Sequence, residues 1–175
     1  MQATPAFEDL VEAHRDEIFG FLWRMLGNPA DAEDALQNAF LQAYQAYPKL
    51  KSNANLRAWL FTIAANSARS QLRKQKRQPD PSPSIDTFST DDGRPGEQKL
   101  EARQHLHQVL QCVDRLPEKQ RAALMLRKYH ELTYDQIGAI LDCSAESARA
   151  NAYQALKKLR AWLNPIPESN LEQIA

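Results

Sequence analysis

A proline- and serine-rich segment divides this 175-residue chain into two parts. From Gln78 to Gly96 the segment holds four prolines, two glycines and five Ser or Thr, but only two large apolar residues. Such a composition cannot build a core, and it predicts a flexible linker. The predicted organisation is a first domain at 1–78, an acidic linker at 79–97, a second domain at 98–163 and a tail at 164–175.

Apolar residues recur with helical spacing on both sides of the linker. Gly27 suits the left-handed end of one helix, Asn28 an N-cap, Pro29 the first residue of the next helix, and Asp31 the capping-box position. The apolar stripe that follows predicts one face of one helix. Its members are Ala32, Ala35, Leu36, Ala39, Phe40, Ala43, Tyr44 and Tyr47. We therefore expect the first domain to be a bundle of three or four helices.

The second domain predicts a helix-turn-helix, so the whole chain is expected to be all-α. Pro117 restarts a helix at its first position, Thr133 and Gln136 form a capping box, Asp142 opens a short turn, and Ser144 caps the last helix. The outer face of that helix is basic and rich in amides, as a reader of the DNA major groove requires. An ordinary helical hairpin with a solvated basic face remains an alternative at this point. The face comprises Arg149, Asn151, Tyr153, Gln154, Lys157 and Arg160.

The formal net charge of zero hides a segregation of charge along the chain. Residues 69–77 carry five bases and no acid, and residues 149–160 carry four bases and no acid. The linker is acidic. Because fields act over about a Debye length of ~8–10 Å, phosphate would respond to these two patches rather than to the total.

Other classes of protein are disfavoured by what the sequence lacks. The most apolar stretch runs only from Ala58 to Ala65, far short of the ~20 residues of a membrane span, and the acidic N-terminus does not resemble a secretory signal. We therefore expect a cytoplasmic protein with reduced thiols. The set His105, His107 and Cys112 does not share one helix face, so no metal or cofactor is expected. The sequence contains neither a phosphate-binding loop nor a nucleophile elbow, so these motifs give no indication of an enzyme.

The combined motifs resemble the extracytoplasmic-function (group 4) sigma factors of bacterial RNA polymerase, a group of the sigma-70 family. The resemblance runs from about Phe7 to Leu163 and rests on three segments in order. These are NPADAEDALQNAFLQAYQAYPKL, LRAWLFTIAANSARSQLRKQKR and LPEKQRAALMLRKYHELTYDQIGAILDCSAESARANAYQALKKLR. It implies a region 2 domain that binds the polymerase clamp and melts the minus-ten element. It also implies a region 4 domain that binds the flap and reads the minus-thirty-five element.

The same resemblance implies roles for individual residues of the first domain. The clamp-binding residues would be Asp34, Gln37, Asn38 and Leu41. The minus-ten residues would be Lys49, Lys51, Asn55, Trp59, Phe61, Asn66, Arg69, Arg73, Lys74 and Arg77. Trp59 also lies on the apolar stripe of its helix, so a role in the core is an open alternative. Family members usually carry an acid where Asn38 stands, which puts one charge contact with the polymerase in question.

For the second domain the resemblance implies a recognition helix and a flap-binding stretch. The minus-thirty-five residues would be Ser144, Glu146, Ser147, Arg149, Asn151, Tyr153, Gln154, Lys157 and Lys158. The stretch around Leu126, Tyr129 and Leu132 would face the flap, or pack in the core. Such factors are usually held inactive by an anti-sigma partner. The alternatives are a helix-turn-helix regulator that binds duplex DNA alone, and an adaptor whose basic patches are merely solvated.

Overall fold

The computed structural model describes residues 6–51, 54–77 and 96–163, with side chains from residue 105 onward in the last range. Those ranges contain seven α-helices, one short 3-10 turn and no strand, as the all-α prediction requires. The helices are α1 Phe7–Leu26, α2 Pro29–Ala46, α3 Leu56–Arg77, α4 Gly96–Asp114, α5 Glu118–Lys128, α6 Tyr134–Leu141 and α7 Ala145–Leu163, and the 3-10 turn is Tyr47–Lys49. Most of the predicted linker and all of the predicted tail lie outside the described residues.

The break between α1 and α2 has the predicted local chemistry. Gly27 adopts a left-handed conformation with φ 71°, and its N–H donates to the carbonyl of Trp23. The Asn28 side chain accepts from the backbone N–H of Ala30 at 2.8 Å and of Asp31 at 3.4 Å. These contacts satisfy donors that a helix start leaves without partners.

Helices α1, α2 and α3 pack against one another to form the core of the first domain. The rings of Phe21 and Phe61 meet edge to face at its centre, with centroids 5.5 Å apart. Ala32, Ala43 and Ala64 are fully buried where the helices approach. Because alanine has no side chain beyond Cβ, these positions permit short distances between helix axes.

Helices α5, α6 and α7 form the core of the second domain, and α4 lies along α7. Thr133 and Gln136 make the predicted capping box, and Asp142 ends α6 in a left-handed conformation with φ 53°. Ser144 Oγ accepts from the Ser147 N–H at 3.1 Å and so caps α7. The helix-turn-helix is therefore formed. One detail differs: Pro117 is the N-cap of α5 rather than its first residue.

The two domains pack against each other, which the sequence did not indicate. Helix α5 contacts α1, and α6 contacts α3. Buried residues of both domains form one continuous apolar cluster. No helix among the described residues is long and apolar enough to cross a membrane.

Candidate nucleic-acid interface

The recognition face predicted on α7 is open to solvent. Arg149, Tyr153, Gln154 and Lys157 are exposed, while Asn151 and Lys158 are half-buried. Ser144, Glu146 and Ser147 are exposed at the start of the helix. The opposite face packs into the domain through Ala148, Ala152 and Ala155. The helix thus presents cationic and amide groups in one direction, where they can meet phosphates and base edges.

Two residues of this face already have partners within the protein. The Asn151 side-chain amide donates to the Ser147 carbonyl at 2.9 Å. The Arg149 guanidinium lies 5.3 Å from the centre of the Tyr134 ring, within the range of a cation–π contact. Asn151 keeps its amide oxygen for a base, and Arg149 can turn toward DNA at the loss of one weak contact.

The C-terminal end of α3 forms the second basic surface. Arg73, Lys74, Lys76 and Arg77 are all exposed there. Asp31 anchors this end to α2, because its carboxylate accepts from Gln71 Nε2 at 2.6 Å and from Gln75 Nε2 at 2.7 Å. The sequence predicts that Asp31 completes a capping box, so the observed partners correct that expectation. The two glutamine side chains therefore face α2, and the lysine and arginine side chains at this end of α3 face the solvent.

The part of α3 from Trp59 to Arg69 carries four more of the predicted minus-ten residues, and their exposure differs widely. Asn66 is exposed, Trp59 is half-buried against Tyr47, and Phe61 is 0% exposed. Arg69 is half-buried and its Nε donates to Glu118 of α5 at 2.7 Å. In this conformation, Asn66 is available to a ligand, whereas Phe61 is not.

The loop before α3 contributes exposed cations and a helix cap. Lys49 and Lys51 are exposed. Asn55 is exposed too, and its side-chain oxygen accepts from the Ala58 N–H at 3.0 Å. Residues 52–53 lie outside the described part of the chain. Asn55 therefore starts α3 in addition to any contact it makes with DNA.

The predicted clamp-binding residues share one exposed face of α2. Asp34, Gln37, Asn38 and Leu41 are all exposed, and Leu41 keeps 56% of its surface accessible. Tyr44, which the apolar stripe assigned to the core, is also exposed, at 60%. An apolar pair among polar neighbours is typical of a surface that a partner covers.

The stretch predicted to face the flap divides between core and surface. Leu126 and Leu132 are buried in the core of the second domain. Tyr129 is exposed, with the Arg24 guanidinium of α1 4.3 Å from its ring centre. Only Tyr129 of the three is accessible to a partner, and it already contacts the first domain.

Three polar residues that sequence reasoning missed lie between the domains. Arg57 donates to the carbonyl of His130 at 2.8 Å and also binds Glu17 of α1. His130 Nδ1 lies 3.3 Å from a Glu17 oxygen. Arg121 Nη1 donates to the carbonyl of Met25 at 2.6 Å. The position of Arg121, directly before the apolar run from Ala122 to Leu126, was the one sequence signal of such a contact.

Burial and charge shift the pKa values at these contacts. Burial lowers the pKa of His130, although its hydrogen bond to Glu17 opposes the shift. Burial alone would raise the pKa of Glu17, but Arg57 and His130 hold it below the usual range. Burial also lowers the pKa of Arg121. Within the described residues, no group of three or more His, Cys, Asp or Glu side chains could hold a metal ion.

Comparison with known proteins assigns both domains. Residues 10–78 match the model of Sigma-70 region 2, and residues 106–159 match that of Sigma-70, region 4. The chain is 35% identical over 164 residues to the RNA polymerase sigma factor CarQ of Myxococcus xanthus, covering 94% of this chain and 92% of CarQ. It is 29% identical over 171 residues to the ECF RNA polymerase sigma factor SigW of Bacillus subtilis, covering 92% and 90%.

A solved structure shares the fold. The sigma factor RpoE of Bartonella quintana, solved in complex with the anti-sigma factor NepR, superposes with a TM-score of 0.74 at 22% identity. The match covers 91% of this chain and 97% of the other. The chain therefore belongs to the sigma-70 family of bacterial RNA polymerase sigma factors, in its extracytoplasmic-function group. It binds core RNA polymerase and promoter DNA and directs promoter-specific transcription initiation. Sigma factors are regulatory subunits.

Proposed function

We propose that three separate surfaces of this chain carry three steps of initiation. The exposed face of α2, at Asp34, Gln37, Asn38 and Leu41, docks on the polymerase clamp. The outer face of α7 reads the minus-thirty-five element. The α3 helix and the loop before it open and hold the minus-ten element. The observation that carries this division is the pair of exposed basic surfaces on separate domains of a chain without net charge.

The minus-ten role rests on the contrast along α3. Extruding a base from the duplex costs a few kcal/mol, which stacking and hydrogen bonds in a protein pocket must offset. Asn66 supplies an exposed amide, and Lys49, Lys51 and Asn55 stand beside the helix start. Arg73, Lys74 and Arg77 extend the positive surface toward the upstream duplex. These residues combine strand capture with a grip on the backbone.

The minus-thirty-five role rests on the mixture of side chains on α7. Lys157 and Lys158 suit phosphates, while Arg149, Asn151 and Gln154 suit base edges in the major groove. Ser144, Glu146 and Ser147 stand at the helix start, which in helix-turn-helix proteins points toward the bases. Tyr153 adds an exposed ring beside them.

Two further parts of the proposal concern the regulation of the chain and its location in the cell. The relative RpoE is found in a complex with an anti-sigma factor, and we expect an anti-sigma partner for this chain as well. Catalysis belongs to the polymerase, so the chain itself is not an enzyme. It acts in the cytoplasm, where it would meet the polymerase.

Run-off transcription with core polymerase on a genomic promoter library tests the proposal. Start sites that depend on the protein and share two spaced upstream motifs would support it. On such a promoter, Asn66→Ala should reduce strand opening, read by permanganate reactivity, while duplex binding stays unchanged. The matched control is Lys119→Ala, an exposed residue of α5 outside all three surfaces. Duplex binding without polymerase-dependent starts would instead favour a stand-alone regulator.

A further inference from the structure

The C-terminal parts of α4 and α7 form the walls of a groove on the second domain. Its volume is about 690 Å³. The floor is apolar, because Cys112 is 8% exposed and Trp162 and Leu163 are half-buried. Exposed amides stand on the rim at Gln108 and Gln111. An apolar floor with a polar rim is typical of a surface that a further segment covers.

The rim of this groove also carries a cation that has no acidic partner among the described residues. Arg115 is exposed just after α4, and its guanidinium lies 4.9 Å from the ring centre of Trp162. The neighbouring carboxylate of Asp114 is engaged elsewhere, since it lies 3.2 Å from Arg121 Nη1. An acidic segment that packs on the Trp162 ring would therefore meet a guanidinium already in place.

The chain itself continues from this groove. Leu163 ends α7 and lines the groove, and the tail at 164–175 follows it. The tail holds two acids and no base, so its charge is opposite to that of the free guanidinium. Pro165 and Pro167 flank Ile166, which prevents continuation of the helix and favours an extended polyproline conformation. Segments of this kind bind grooves that are lined by aromatic rings.

The first half of the tail matches the groove in length. An extended chain spans at most ~3.3–3.6 Å per residue, so Ile166 can lie at most about 11 Å from Leu163, and Glu168 at most about 18 Å. The α4 side of the groove runs from Gln108 to Arg115, which is about 10 Å of helix. Ile166 can thus reach the apolar floor, and Glu168 can reach the cationic rim.

We infer that the C-terminal tail binds in the groove between α4 and α7, with Ile166 on the Trp162 ring and Glu168 paired with Arg115. The tail is tethered at Leu163, so its effective concentration at the groove is on the order of 1 mM. A contact with a Kd of about 0.2 mM is therefore formed most of the time. The docked tail joins the last turn of α7 to α4, the helix that follows the linker.

Fluorine NMR of the full-length protein labelled with 5-fluorotryptophan tests this docking, because the chain has three tryptophans and each gives its own signal. Trp162→Phe assigns the signal of Trp162. Ile166→Ser and Glu168→Gln should each move that signal, because they remove the apolar contact and the ion pair. The signals of Trp23 and Trp59 should stay in place, which shows that the first domain is unchanged.

The second half of the tail supplies matched controls. Leu171→Ser and Glu172→Gln make the same chemical changes further along the tail, and they should leave the Trp162 signal where it is. Hydrogen exchange gives a second measurement. In Ile166→Ser the amides of residues 105–114 in α4 should exchange up to about sixfold faster, the ratio that the tethered affinity gives. Residues 56–63 of α3 should exchange at the wild-type rate.

A Trp162 signal that is the same in wild type, Ile166→Ser and Glu168→Gln would overturn the docking of the tail. Equal shifts in the Leu171 and Glu172 variants would also overturn it, because a general change in the tail would then be responsible. Two further results would assign the groove to another occupant. A signal that moves with protein concentration but not with the tail substitutions indicates a second copy of the chain. A signal that moves only when core polymerase is added indicates the polymerase.

Discussion

The guanidinium of Arg121 is buried between the two domains and donates to the main-chain oxygen of Met25 at 2.6 Å, across 96 positions of sequence. Only 6% of Arg121 is accessible. A second nitrogen donates to the carbonyl of Asp114 at the end of α4, and the Asp114 carboxylate lies 3.2 Å from Nη1. The Arg121 side chain thus donates hydrogen bonds to carbonyl groups in the last turns of both α1 and α4.

Replacement of Arg121 by methionine should lower the stability of the protein substantially. The apolar stem is preserved, but the buried carbonyl of Met25 and the partly buried carbonyl of Asp114 lose their donor, which costs about 2–4 kcal/mol. Urea unfolding followed by circular dichroism measures the change as a lower midpoint. Lys119→Met is the control, because Lys119 is exposed on the same helix. Equal midpoints for the two variants would show that the buried contacts contribute no net stability.

Asp31→Ala should loosen the basic end of α3. Its carboxylate accepts from both Gln71 and Gln75, and loss of two partly exposed charge-assisted hydrogen bonds costs about 1–2 kcal/mol. Hydrogen exchange should accelerate in residues 71–77 and stay unchanged in residues 56–63. Glu12→Ala, on the exposed side of α1, should leave both segments unchanged. Faster exchange along all of α3 would mean that Asp31 supports the whole helix rather than its end.

Gly138 and Gly20 should respond oppositely to alanine. A Cβ at Gly138 would lie 2.6 Å from the carbonyl oxygen of Cys143, inside the turn of the helix-turn-helix. Because backbone cannot move aside without opening the turn, Gly138→Ala should cost about 1–3 kcal/mol and weaken duplex binding. A Cβ at Gly20 meets only the flexible tip of Arg24, so Gly20→Ala should be neutral or stabilise by about 0.5–1 kcal/mol.

Thermal unfolding of both glycine variants, with titration of duplex DNA, checks this pair. A Gly138→Ala protein as stable as wild type would show that the turn between α6 and α7 can widen at little cost. Strong destabilisation by Gly20→Ala would show that the Arg24 side chain cannot leave its position over Tyr129.

The contact of Glu17 with His130 makes the packing of the domains sensitive to acid. Burial between the packed domains lowers the pKa of His130. The neutral ring therefore stabilises the packing of the domains above the ordinary pKa of about 6.5, and this stabilisation is lost as the pH falls through the lowered value. Arg57 is the main group that holds the pKa of Glu17 below its usual range, and both residues belong to the first domain. Protonation of His130 is therefore the event that favours separation of the domains.

We expect the radius of gyration to increase as the pH falls from about 7.5 to about 5.5, within the range where histidine titrates. The charged groups facing His130 are Glu17, Arg24 and Arg57. His130→Asn removes the titrating ring, so the change across this range should shrink. A wild-type protein whose radius is the same at both pH values would contradict the expectation.

Local sequence rules predicted the helix ends well and the packing between domains not at all. The caps at Asn28 and Thr133 depend on a few adjacent residues, and both are formed as predicted. Asp31 fits a local rule by its position, yet its carboxylate bonds two glutamines about 40 positions away. Arg121 and Met25 are farther apart still. Spacing along the chain carries no information about such pairs, because they depend on how finished helices meet.

The difference between local rules and tertiary contacts also explains why some residues of the candidate interface are exposed as predicted and others are not. The exposed faces of α2 and α7 follow from helical periodicity, which assigns each residue to one side of its helix. Periodicity also placed Tyr44 on the buried side, but Tyr44 is 60% exposed and contacts only the edge of the bundle, where its ring lies 5.3 Å from that of Phe7 at the start of α1. Phe61 and Arg69 were assigned to DNA by resemblance. Phe61 is instead buried between Phe21 of its own domain and His130, and Arg69 is paired with Glu118, and both environments depend on tertiary contacts.

Lys157 and Asn151 should affect promoter binding in different ways. Lys157 is exposed, and its ammonium is suited to a phosphate, so Lys157→Ala should weaken binding about equally on all promoters and reduce the salt slope by ~1 unit. Asn151 is half-buried with its amide fixed on Ser147, which leaves its oxygen oriented for a base. Asn151→Ala should therefore change the preferred upstream sequence and leave the salt slope unchanged, since no charge is removed.

Both effects can be measured by titrating a randomised upstream element at several salt concentrations with the polymerase complex. Lys119→Ala removes one exposed cation from α5 and controls for the change in net charge. A salt slope for Lys157→Ala equal to that of wild type would remove Lys157 from the phosphate contacts. Uniform loss across all sequences in Asn151→Ala would show that this side chain supports the helix through Ser147 and reads no base.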